Sequence, residues 1–220
     1  MSMEKDEINV FINGSTVNET YFFREEAQFS LLKDKIFPAF RTSLSGAPLR
    51  IWSAAASSGE EIYSLYLLAS SLGINAECVA TDINTLVLEK CAKGEYSSNS
   101  LRTLDGAKFH YLLAPYQNVQ KEIKFPPEIT GKIERKKINL SKLDEPFPRA
   151  ASVVFLRNVF IYFSLEMRKA ILEKIAGDCL LPGGCLFVSM SETALLDKAI
   201  MPKNLEKISD GKVFYFKKVL

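Results

Sequence analysis

Apolar positions along this chain keep two alternating rhythms, one helical and one strand-like. From Arg24 to Leu44, Phe29, Leu32, Ile36 and Phe40 recur three or four residues apart, which predicts a helix broken only at Pro38. Leu49 to Ala55 is a short apolar run between Pro48 and a Ser-Ser-Gly loop, hence a strand. Glu60 to Leu72 is again helical, with Gly73 placed to cap it. Glu77 to Asp82 reads as a second strand and Asn84 to Lys93 as a helix ended by Gly94. The pattern then loosens. One helix is expected around Ala107 to Leu113, and Lys132 to Ile138 alternates as a solvated edge strand does. Regularity returns with the β-branched run Ser152 to Leu156, a helix from Ser164 to Leu180, and a Pro182-Gly183-Gly184 turn into a strand from Cys185 to Ser189. At the end, Asp210-Gly211 between two alternating runs predicts a hairpin with a type I′ turn.

Strand and helix alternating in this way predict an α/β fold: a doubly wound, mostly parallel sheet with helices on both faces and an antiparallel hairpin at its end. Such sheets bind ligands beyond the carboxyl ends of their strands, where the strand order switches. The loops that matter therefore follow Ala55, Asp82 and Leu156.

Composition narrows the class. With no internal repeat or biased linker, the 220 residues read as one unit over 1–220. At 47% hydrophobic and 25% charged the chain is ordinary globular protein, not disordered or fibrous. Lys and Arg (28) nearly balance Asp and Glu (26), so no global field recruits nucleic acid or anionic lipid. The longest uncharged stretch, Ile62 to Ala76, has 15 residues, short of the roughly 20 that span a bilayer; no membrane insertion is expected. The chain starts with charged, acidic residues where a signal peptide needs a basic start, so a cytoplasmic location is expected. Cys78, Cys91, Cys179 and Cys185 form no C-x-x-C pair, and with His110 the one histidine, neither a metal site nor a catalytic Cys-His pair is suggested. These residues read as packing.

The loop after the first predicted strand is Ala54-Ala55-Ala56-Ser57-Ser58-Gly59-Glu60-Glu61. Small residues there let a ligand approach the backbone at a helix N-terminus. One glycine does not make a dinucleotide fingerprint, and two glutamates repel a pyrophosphate, which disfavours a nicotinamide oxidoreductase. Asp82 follows Gly59 by 23 residues, near the spacing at which an acidic residue accepts both ribose hydroxyls. Together the two acidic positions suit a nucleoside that carries positive charge and no phosphate, namely S-adenosylmethionine. Simpler roles stand beside this: a capping box of Ser57 with Glu60 or Ser58 with Glu61, and Asp82 as a helix N-cap.

Four blocks carry a family resemblance: Asn18 to Glu25 (NETYFFRE), Ile51 to Ser64 (IWSAAASSGEEIYS), Ala80 to Asn84 (ATDIN) and Arg157 to Phe163 (RNVFIYF). In order and spacing they resemble the signature blocks of the chemotaxis receptor glutamate methyltransferases, the CheR type; Pro182-Gly183-Gly184 and Ser191-Glu192 resemble the last block. The resemblance runs from about residue 16 to 216. It implies a seven-stranded, class I methyltransferase-like (Rossmann-like) sheet with a small antiparallel insertion near 104–138. It also implies transfer of the methyl group of S-adenosylmethionine to receptor glutamates, leaving S-adenosylhomocysteine and needing no metal.

Residue by residue, the resemblance puts Asn18, Thr20 and Arg24 over the donor, with Ala55 in the loop beneath it. Glu61 takes the donor's amino-acid part, Asp82 its ribose, and Asn139 with Leu140 flank its adenine. Arg157 and Asn158 close the strand beside it, and Tyr162 stands by the transferring methyl. Arg24 and Tyr162 are thus the catalytic candidates, against plainer roles as a solvated charge and a packed ring. The implied partners are the cytoplasmic helices of chemotaxis receptors. Family members begin with a helical, basic subdomain of about 70 residues, whereas about 17 precede the first block here, which leaves a donor-binding sensor or adaptor as the alternative activity. No glycine-rich loop lies between Leu112 and Glu122, so tethering to a receptor pentapeptide is not expected. Ile62, Leu156 and Ser189 replace the family's usual proline, cysteine and glycine.

Overall fold

The computed structural model describes residues 20–196 and 200–219. Seven strands form one sheet: β1 (Leu49–Ser53), β2 (Ala76–Asp82), β5 (Ile133–Lys137), β6 (Ala151–Phe155), β7 (Leu180–Phe187), β8 (Leu205–Asp210) and β9 (Val213–Lys218). A separate two-stranded ladder joins β3 (Glu95–Tyr96) to β4 (Ile123–Lys124). The sheet order is β5-β2-β1-β6-β7-β9-β8, parallel except for β9, which runs antiparallel to β7 and β8. From β1 the chain builds outward through β2 to β5, then returns to lay β6 on the other side of β1. The strand order therefore switches between β1 and β6, and a crevice opens at their carboxyl ends.

Period-two alternation sorts the strand residues to two cores. Ile51, Val153 and Phe155 face a layer built on α1 (Glu26–Leu31), α2 (Phe37–Ser43), α3 (Glu60–Ser71) and the short turns around Phe109. Trp52, Val154 and Leu186 face the other layer, where α5 (Leu165–Lys174) contributes Ile171 and Leu172; α4 (Thr85–Lys93) packs beside β2 and β5. The caps set the boundaries. Asn84 accepts hydrogen bonds from Leu86 N and Val87 N at the start of α4, and Gly94 closes that helix in a left-handed conformation.

Several boundaries differ from the sequence expectation. The helix expected from Arg24 to Leu44 contains a π-turn at Leu32–Ile36: Phe37 N bonds back five residues to Leu32 O, and Pro38 has no N–H to restore the α pattern. A second π-turn, Ile175–Cys179, ends the helix expected to reach Leu180. Residues Ala107–Leu112 form a 3-10 helix, not an α-helix. The Pro182-Gly183-Gly184 turn lies inside β7 as a bulge: pairing steps from Ala151/Leu180 to Val153/Cys185. Asp210 pairs with Val213, so the hairpin loop is Gly211-Lys212. Only Gly211 there has positive φ (59°), the pattern of a type II′ turn instead of I′. Ile133–Lys137 lies at the sheet edge as expected but pairs in parallel with β2. It thus belongs to the main sheet and not to an antiparallel insertion; the antiparallel ladder pairs residues on either side of the 97–122 loop.

Candidate active site

At the switch point lies a cleft of about 270 Å³. Its walls come from the loops after β1, β2, β5 and β6, together with the segment before α1. Thr20, Arg24, Ala55, Glu61, Asp82, Asn139, Leu140, Arg157, Asn158 and Tyr162 all line it. These are the residues singled out from the sequence, save Asn18, which falls outside the described residues. Ala54, Ala56, Ser57, Ile83, Ile138, Val159 and Phe163 complete the wall and were not among the sequence candidates.

The β1 loop turns sharply at Gly59, whose φ of 98° is the left-handed range. A Cβ there would sit 2.5 Å from Cys91 Sγ, so only glycine lets the loop close onto α4. Gly59 is the N-cap of α3, and no side chain caps that helix; the capping boxes weighed from sequence are not formed. Instead Glu60 accepts from the hydroxyls of Ser58 (2.8 Å) and Ser100 (2.9 Å), and burial pushes its carboxyl above the usual range. Glu61 turns the other way. One of its oxygens accepts from Ser53 Oγ (2.6 Å) and the other from Arg157 Nε (2.6 Å). That ion pair is buried, with side chains 3% and 10% exposed.

Asp82 ends β2 with its carboxylate in the cleft wall, accepting from Ser57 N and Asn84 N, both at 2.9 Å. Burial raises its pKa, against the backbone N–H groups that lower it. Asn84, not Asp82, caps the following helix. Each carboxylate has about four lone-pair positions, so Glu61 and Asp82 retain acceptor capacity toward the cleft. Ser57 adds a second polar feature: its backbone has φ 49°, and its buried hydroxyl has no hydrogen-bond partner among the described residues. An unsatisfied group of this kind in a cleft wall suits a polar ligand atom.

The opposite wall is fastened by long-range bonds. Arg157 donates through Nη1 to Arg24 O (2.6 Å) and to Gln28 Oε1 (3.3 Å), while Gln28 Nε2 reaches Val188 O (2.7 Å) and Glu25 (2.8 Å). Asn158 sits at φ 59°, a left-handed position for a non-glycine residue. Buried Glu192 holds it there, accepting from Asn158 N (2.6 Å) and Phe160 N (2.7 Å). Glu192 also accepts from Ser189 Oγ (3.0 Å) in a capping box, a local signal that Ser189-x-x-Glu192 carries in the sequence; its bonds to Asn158 N and Phe160 N, 34 and 32 residues upstream, leave no such trace. Tyr162 stands 59% exposed at the rim, so it is not a packed core ring. Asn139 turns its side chain to Ser141, while Leu140 is buried with Ile138 on the cleft floor.

Among the described residues, no group of three His, Cys, Asp or Glu side chains is arranged to hold a metal ion. The four cysteines are buried with their thiols pushed upward, Cys91, Cys179 and Cys185 to about 12. Burial lowers the pKa of His110, outside the cleft. The titratable side chains that line the cleft are the carboxylates of Glu61 and Asp82, the guanidinium groups of Arg24 and Arg157, and the Tyr162 phenol.

The model of the CheR methyltransferase SAM-binding domain matches residues 18–208. The chain belongs to the CheR methyltransferase family. It is 36% identical over 190 residues to the chemotaxis protein methyltransferase Cher2 of Pseudomonas putida, covering 82% of this chain and 68% of that protein. The chemotaxis protein methyltransferase of Borreliella burgdorferi is 32% identical over 210 residues (89% and 72%), and that of Salmonella typhimurium 34% over 191 (84% and 64%). This CheR chain is thus an S-adenosylmethionine-dependent chemotaxis protein methyltransferase, a protein-glutamate O-methyltransferase, as the four blocks implied. Among solved structures, the bifunctional kinase-methyltransferase WbdD is similar in fold, with a TM-score of 0.51 at 12% identity, over 87% of this chain and 39% of that one. No helix among the described residues is long and apolar enough to cross a membrane.

Proposed function

We propose that the cleft binds S-adenosylmethionine with Asp82 on the ribose hydroxyls, Glu61 toward the amino-acid end, and Ile138, Asn139 and Leu140 around the adenine. Arg24 and Tyr162 then meet at the methyl. The observation that carries this reading is the convergence of two carboxylates, an unpartnered Ser57 hydroxyl and an apolar floor at one switch-point crevice. When bound, the donor supplies a methyl on a sulfonium, which a carboxylate oxygen takes by in-line displacement, the C–O bond forming as the C–S bond breaks to leave a neutral thioether. The side chains need only bind and align, because a glutamate carboxyl with pKa near 4.3 is already ionised at neutral pH. Alignment of this kind supplies roughly 7–11 kcal/mol of barrier reduction.

Arg24 presents a guanidinium that orients the acceptor carboxylate by paired, charge-assisted hydrogen bonds. Tyr162, exposed at the rim, closes over the methyl. Asn18 is assigned to the same donor-covering segment. The acceptors are glutamates on cytoplasmic helices of chemotaxis receptors, reached from the cytoplasm without a pentapeptide tether. The test is transfer of label from tritiated donor to receptor-rich membranes by wild type and Arg24→Ala. The variant is expected to keep donor binding and lose turnover about a hundredfold. Unchanged turnover would remove Arg24 from the role, and failure of the wild type to transfer label would leave a donor-binding adaptor.

A further inference from the structure

Asp105 lies outside the cleft, on the loop between β3 and β4, yet it reaches the segment that carries Thr20 and Arg24. Its Oδ2 accepts from Tyr21 OH (2.8 Å) and Glu25 N (2.7 Å), and its Oδ1 from Glu26 N (2.8 Å). Both oxygens thus hold the backbone immediately after Arg24, at a helix start that has no side-chain cap of its own. The hydroxyl bond also fixes the Tyr21 ring, over which two guanidinium groups lie: Arg24 Cζ is 5.5 Å and Arg102 Cζ 5.3 Å from its centroid. Gly106 makes this approach possible. It has φ 84°, and a Cβ there would stand 2.6 Å from Phe22 O.

The segment itself has little freedom to choose its own path. Phe23 and Glu25 both adopt left-handed φ (56° and 61°), and no such run persists without outside restraint. Phe22 and Phe23 anchor it from below, and Arg157 holds Arg24 O from the cleft side. Asp105 supplies the restraint from the loop side. We infer that Asp105 is a positioning residue for methyl transfer, acting through Tyr21 and the Glu25–Glu26 backbone to aim Arg24 at the acceptor. This rests on the role proposed above for Arg24.

The test is a double-mutant cycle of Asp105→Ala and Arg24→Ala, read as kcat and donor KM in label transfer to receptor-rich membranes, with thermal stability recorded for each protein. Asp105→Ala alone is expected to lower kcat roughly ten- to a hundredfold, the cost of a misplacement of about an ångström. In the Arg24→Ala background the same change should cost less than about twofold, since the guanidinium it aims is gone. Asp105→Asn, which keeps one acceptor oxygen, should recover part of the rate. If Asp105→Ala does not fold, Tyr21→Phe removes only the hydroxyl bond and should show a smaller loss with the same non-additivity. Unchanged kcat, or losses that multiply in full, would overturn the inference while leaving Arg24 in place. An Arg24→Ala enzyme with normal turnover would overturn both.

Discussion

The two walls of the cleft are built in opposite ways. On one side, Asp82 and the Ser57–Glu61 turn are held mainly by their own loops and the adjoining strand, with bonds to Ser57 N, Asn84 N and Ser53 Oγ, and more distantly by the hydroxyls of Tyr96 on Ser58 O and Ser100 on Glu60. On the other, Arg24 and Asn158 depend on Arg157, Glu192, Gln28 and Asp105, whose long-range bonds span from 34 to 160 residues. In the proposed arrangement the first wall faces the methyl donor, a ligand that does not vary. In the same proposal the second admits a protein side chain; both walls carry positive-φ residues, Ser57 and Gly59 on the first, but those of the second, Glu25 and Asn158, are clamped by remote groups. A site that binds one small molecule and aligns a protein side chain with it can separate the two tasks in this way.

Glu61 is where the walls meet, so breaking it should have the largest effect. Glu61→Ala leaves the Arg157 guanidinium buried without its carboxylate and is expected to cost about 3–5 kcal/mol of stability. Urea denaturation measures this. A loss below about 1 kcal/mol would mean that the two walls stand independently.

A purely local break on the first wall should be smaller. Gly59→Ala meets both a left-handed φ and the Cys91 sulfur, and about 2–3 kcal/mol is expected from strain and overpacking together. The same denaturation curve checks it, and Cys91→Ala in that background should recover part of the loss. No recovery would mean that the backbone conformation alone is responsible.

The smallest effect is one of pH. Burial raises the pKa of Glu60, so its ionised form is disfavoured in the folded state. Its favourable contribution is present below the ordinary glutamate value of 4.5 and is lost as pH rises through the folded value. Glu60→Gln should therefore be more stable than wild type at pH 7, with the gap closing toward pH 4.5. A gap that stayed constant over that range would place the cost of Glu60 elsewhere than in its charge.

This division also explains what the sequence let one read. The strand and helix order, the Asn84 and Gly94 boundaries and the two acidic loop positions follow from local rules of alternation, capping and spacing, and they survive in the fold. The π-turn at Leu32–Ile36 was less visible, because it arises from one missing N–H at Pro38 inside an otherwise helical pattern. Lys132 to Ile138 had the right alternation for an edge strand, yet alternation cannot say whether its neighbour runs parallel. On the acceptor wall, Arg24 and Tyr162 were reached only through resemblance to a family. Asp105 was not reached at all, and Glu192 only as part of the Ser191-Glu192 block without a role, since nothing beside them in sequence records the backbone N–H groups they serve across the fold.

The claim on which the account turns is that Asp82 and its loop hold the methyl donor. Calorimetric titration of S-adenosylhomocysteine into wild type and Asp82→Ala tests it most directly. The account predicts saturable one-to-one binding by wild type and affinity weakened about ten- to a hundredfold in the folded variant, the worth of hydrogen bonds to a charged acceptor. Equal affinity in the two proteins would contradict it.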